Sequence, residues 1–74
     1  MQKIITDPNI CHGKAHIVGT RTPVHIILGL LAAGDTYKNI LNAYPQLTEE
    51  DIMACIDYAA KIASEEVVYE SEAA

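Results

Sequence analysis

Four side chains in the first third of the chain, Cys11, His12, His16 and His25, are of the types that bind metals. A structural zinc site draws paired ligands at close, regular spacing, and one cysteine with three unevenly spaced histidines does not make that pattern. Solvated histidines in turns and an arm are the simpler reading. A nucleophile, base and orienting acid could be assembled from Cys55, a histidine and an aspartate. Cys55 falls in mid-helix among apolar residues, however, where a thiol is usually an inert packing group. Gly13, Gly19, Gly29 and Gly34 are too scattered for a phosphate-cradling loop. The acids Glu49, Glu50 and Asp51 open a helix, where they meet the positive end of its dipole without any catalytic duty. The sequence therefore points to no catalytic residue, no metal and no cofactor, and the chemistry left to it is binding.

Binding candidates follow from charge. The chain has net charge −5, unevenly spread. Residues 1–25 carry Lys3, Lys14 and Arg21 against Asp7, a net of +2, whereas residues 46–74 carry eight acids against Lys61, a net of −7. An acidic chain is a poor non-specific ligand for nucleic acid, since phosphate neutralisation dominates that affinity. If DNA is bound, Lys14, Thr20, Arg21 and Lys38 are the candidate contacts. For Arg21 a structural role, bonding a neighbouring carbonyl or carboxylate, is an equal alternative.

These residues need elements to position them. Lys3 to Thr6 and Ala15 to Val18 read as short strands, separated by the turn residues Asp7-Pro8-Asn9 and His12-Gly13-Lys14. Two such strands are marginal alone, so pairing with a second chain is expected. Thr22-Pro23 reads as cap and first position of a helix from Pro23 to Ala33, stopped by Gly34. Gly29 within that helix suggests the close approach of another backbone. Asp35 or Thr36 caps a second helix that ends at Tyr44, before Pro45. Thr48 with Asp51 three residues on resembles a capping box, opening a third helix.

Three apolar stripes recur at helical spacing: Val24, Ile27, Leu28 and Leu31; Tyr37, Ile40, Leu41 and Tyr44; and Ile52, Ile56, Ala59, Ala63 and Val67. They predict a mainly α fold, a three-helix bundle containing a helix-turn-helix with a short N-terminal β arm. In such a motif the first turns of the second helix face the DNA major groove. Here they present Thr48, Glu49, Glu50, Met53 and Asp57, whose acids oppose the flanking phosphates.

At 74 residues the chain reads as one domain, with a β arm over 1–22, a helical core over 23–68 and a fraying tail over 69–74. That size is near the lower limit for independent folding, so help from a partner is expected. Two widely separated cysteines make no disulfide framework, and neither a signal peptide nor a membrane span is read, so a reducing cytoplasm is expected.

The run His12-Gly13-Lys14-Ala15-His16-Ile17-Val18-Gly19-Thr20-Arg21, then Leu31-Ala32-Ala33-Gly34, Tyr44-Pro45-Gln46-Leu47-Thr48 and Asp57-Tyr58-Ala59, resembles a widespread prokaryotic family. Its members are small proteins of unknown function that are grouped with VapB-like antitoxins. The departures are Ala15, where the family usually has proline, and Thr22-Pro23, where an apolar residue commonly follows the arginine. The resemblance implies a homeodomain-like fold, a homodimer, and the antitoxin role in a type II toxin–antitoxin pair. Its partner would be a PIN-like ribonuclease toxin, with operator DNA as a further ligand. Independently of the resemblance, the charge split suggests Asp57, Glu65, Glu66, Glu70 and Glu72 as the candidate toxin-binding residues, imitating phosphate at a basic or metal-dependent nuclease site. Two other readings stay open: a DNA-binding regulator with no toxin, and a helical protein-interaction module that does not bind DNA.

Overall fold

Each of the three helices begins or ends on a local signal that fixes its place in the chain. The computed structural model describes residues 3–65. In chain order these form strands β1 (Ile4–Ile5) and β2 (His16–Ile17) and helices α1 (Val24–Ala32), α2 (Tyr37–Ala43) and α3 (Glu49–Glu65). Three helices with a short two-stranded antiparallel sheet make a mainly helical fold, as expected. The expected core segment 66–68 and tail 69–74 lie outside the described residues.

The strands are shorter than the sequence suggests, and they pair with each other within one chain: Ile4 stands opposite Ile17 and Ile5 opposite His16. Between them, Cys11, His12 and Gly13 form one tight turn in which all three residues have positive φ, 55°, 54° and 80°. For the two non-glycine residues that conformation costs about 1–2 kcal/mol each. It is held by the Gly13 N–H on the Ile10 carbonyl and the Lys14 N–H on the Cys11 carbonyl, both at 3.0 Å. The Cys11 thiol adds a hydrogen bond to the Arg21 carbonyl at 3.3 Å, tying the turn to the segment before α1.

At the start of α1, Pro23 occupies the cap position with no side-chain cap. Thr22 is not the expected cap; it is buried, and its hydroxyl accepts from Gln46 Nε2 at 3.4 Å, which fastens the arm to the α2–α3 turn. The helix ends as Gly34 predicts. With φ of +98°, Gly34 donates to the Leu31 carbonyl while Asp35 donates to that of Leu30, the paired closure of a Schellman turn. Thr36, not Asp35, caps α2, its hydroxyl accepting from the Asn39 N–H at 3.1 Å.

The buried core comprises Ile4, Ile17, Val24, Ile27, Ile40, Leu47, Ile52 and Cys55, drawn from both strands, every helix and the turn before α3. Helix α3 packs on α1, α2 and β1. Three expectations are corrected. Ile56 is not core: it is 40% exposed, and the inward side of α3 is Asp51, Ile52 and Cys55, with Tyr58 and Ala59 half-buried. Ala63 is exposed too, and Val67 lies outside the described residues. His16 is not a solvated arm residue, being 1% exposed, with Nδ1 placed 3.4 Å from the Lys14 carbonyl to donate in that tautomer. Among the described residues no backbone approaches Gly29, where an added Cβ would meet nothing within 4 Å.

Candidate interaction surface

The first turn of α3 is built by the predicted capping box. The Thr48 N–H donates to Asp51 Oδ2 at 3.0 Å, and the Asp51 N–H donates to the Thr48 hydroxyl at 3.3 Å. Lys3 closes the arrangement from the far end of the chain, its Nζ 3.3 Å from Asp51 Oδ1. Burial by itself would raise the Asp51 carboxyl. The Thr48 backbone N–H, the Lys3 hydrogen bond and charge, and the Thr48 hydroxyl outweigh it and hold the group below its ordinary 3.8. Of the three acids opening α3, Asp51 is thus structural, while Glu49 and Glu50 are exposed. Lys3, counted in the basic arm, is already paired.

One turn on, Cys55 sits fully buried, and burial together with the nearby Asp51 charge pushes its thiol up to about 11. A thiol so protonated is a packing group. Among the described residues, no three histidine, cysteine or acidic side chains converge to hold a metal ion. No helix among them is long and apolar enough to cross a membrane.

The DNA-contact candidates divide by environment. Lys14, Arg21 and Lys38 are exposed, and none is ion-paired among the described residues. Thr20 is half-buried and already engaged: its hydroxyl donates to the Ile17 carbonyl at 2.8 Å and accepts from the Thr22 N–H at 3.0 Å, closing the Gly19 turn. Among the toxin-contact candidates, Asp57 is exposed and pairs with Lys61 one turn on at 3.1 Å. Glu65 is exposed at the end of α3, and Glu66, Glu70 and Glu72 lie outside the described residues.

The outer side of α3 carries a feature that the sequence stripe concealed. Met53 is 57% and Ile56 40% exposed; with Ala60 and Ala63 they recur at three- and four-residue steps and form one uncovered apolar face. Every residue from Ala60 to Glu65 is exposed, so the last turn and a half of α3 projects beyond the core, carrying Ile62 at 49% exposure. The signal was available in the wheel of α3, because Ile52 and Ile56 border two adjoining apolar faces and only one of them meets the core.

Comparison with known proteins agrees with this architecture. Among curated proteins there is no match. The crystal structure of a DUF433 member protein from Anabaena variabilis ATCC 29413 is similar over 88% of this chain, with 32% sequence identity and a TM-score of 0.80. The chain spans 64% of that relative's length. A family model described as "Protein of unknown function (DUF433)" matches residues 4–59, which hold both strands, α1, α2 and most of α3. The chain is therefore a member of the DUF433 family.

Proposed function

We propose that this protein is a binding protein of the antitoxin type, which lays the outer face of α3 on a protein partner. The observation that carries the reading is the uncovered face of Met53, Ile56, Ala60 and Ala63 on a projecting helix, with Glu49 and Glu50 at one end and Glu65 at the other. An amphipathic helix of this kind seats its apolar residues in a partner's groove, and its carboxylates select a groove with a basic rim. The partner implied by the resemblance to VapB-like antitoxins is a PIN-like ribonuclease toxin, and in this reading Asp57, Glu65 and the acids that follow imitate phosphate at its basic or metal-dependent site. Binding, not catalysis, is the proposed role.

A second reading, DNA binding through the arm, is favoured by exposed Lys14, Arg21 and Lys38. In a dimer these cations would be doubled, and their contacts would go to phosphates. Co-expression with the adjacent reading frame, followed by a gel shift on the protein's own promoter at two salt concentrations, separates the readings. The antitoxin reading expects a stable complex. DNA binding without a partner, falling steeply with salt, would indicate a regulator alone. A protein that binds neither would remove both.

A further inference from the structure

We propose that the open groove where the arm, α1 and α3 meet is a binding site for a small molecule carrying one anionic group, a carboxylate or a phosphate, on an apolar body. The groove has a volume of about 280 Å³. That is close to the lower end of small-molecule sites, about 300–1,000 Å³, which are mainly apolar with a few convergent polar groups. Its floor is apolar: Val24 is buried, and Ala15 and Leu28 are half-buried. Its remaining lining residues carry polar groups: Lys14 from the arm, His25 from α1 and Tyr58 from α3.

Two observations, beside the apolar floor, set the ligand's chemistry. The Lys14 ammonium, the His25 imidazole and the Tyr58 phenol make no hydrogen bond or ion pair among the described residues, so their donors are available. Among the described residues no carboxylate lines the groove, although the chain has ten acids against five lysines and arginines. Such a lining favours an anionic head over a cation, while Val24, Ala15 and Leu28 reward an apolar body over a bare ion. The lining comes from three elements distant in sequence, so the site exists only in the folded chain. Tyr58 lies five residues from Met53, about 140° round α3 at roughly 100° per residue, so the groove is distinct from the proposed partner face.

The test is amide NMR titration of the full-length, isotopically labelled protein with phenyl phosphate and phenylacetate, and with inorganic phosphate and phenol as the two halves of such a ligand. Saturable shifts at Lys14, His25, Leu28 and Tyr58 are expected with at least one of the two complete probes, and which probe binds identifies the head group. Either half alone should bind roughly five- to ten-fold more weakly, as should the complete probe to Lys14→Gln, since each comparison removes about one charged contact or the apolar body. Lys14 is exposed, so that variant keeps the fold, which the amide spectrum itself reports; Leu28→Ala tests the floor in the same way. No saturable shift with either complete probe, shifts centred away from the groove, or unchanged affinity in Lys14→Gln would overturn the proposal. None of these outcomes bears on the partner face of α3.

Discussion

Asp51 shows how far one residue's role can be read in advance. Its capping bond with Thr48 follows from a three-residue spacing, and the sequence states it. Its pairing with Lys3 does not, because the two stand 48 positions apart and only the folding of β1 against α3 joins them. Asp51→Ala should destabilise the fold by about 1–2 kcal/mol, since it strands the Thr48 N–H and the Lys3 charge. Each kcal/mol should lower Tm by about 4–8 °C in a domain of this size. Lys3→Ala should cost less, about 0–1 kcal/mol, because the lysine end is partly solvated. The carboxyl is depressed in the folded state, so its contribution is present above 3.8 and is lost as pH falls through the lower folded value. Denaturation at a series of acid pH values should show a shallower loss in Asp51→Ala; an identical profile would contradict this role.

Cys55 carries the opposite linkage. Its thiol stays protonated to about 11 when folded but ionises near 9.0 when unfolded, so stability should fall between those values as pH rises. Iodoacetamide at pH 8 should leave Cys55 unmodified in the native protein and modify it in denaturant. Labelling of native Cys55 at the denatured rate would refute its burial. Its inertness was legible from its place among apolar helical residues. The burial of His16 was not, because a two-residue strand is too short for its alternation to choose a face.

At the scale of elements, punctuation proved more legible than packing. Gly34 and Pro45 bound the helices where turn chemistry places them, and either Asp35 or Thr36 could cap α2 until the structure chose Thr36. Pattern alone misassigned Ile56, because Ile52 lies one turn before it and the apolar arc of α3 is wider than the surface that α1, α2 and β1 can cover. The same limit applies to Gly29, whose presence in α1 suggested a crowded backbone that the fold does not provide. Gly29→Ala should therefore stabilise the isolated protein by about 0.5–1 kcal/mol. Chemical denaturation measures this directly, and destabilisation would mean that something does pack against that glycine.

At the scale of the whole molecule, the fold assigns its charges to separate duties. Lys3 and Asp51 join the arm to α3, Lys61 and Asp57 pair on the surface of α3, and Lys14, Arg21 and Lys38 are exposed with no ion pair among the described residues. The fold class could be read from three stripes and their stops. The candidate interaction face could not, because a residue's place in the core and its place on an outer face share the same helical period. What distinguishes them is which neighbours arrive, and that depends on the tertiary structure.

The most direct test compares co-purification of the wild type and of Met53→Asp/Ile56→Asp with the product of the adjacent reading frame. Both substituted residues are exposed, so the variant should keep the helical circular dichroism and Tm of the parent to within a few degrees. The wild type should hold the partner through gel filtration, and the variant should lose it, with affinity reduced at least about a hundred-fold, in line with the loss of two central apolar anchors. A well-folded variant that retains the partner undiminished, or a wild type that never binds it, would contradict the proposal that α3 is the face through which this protein acts.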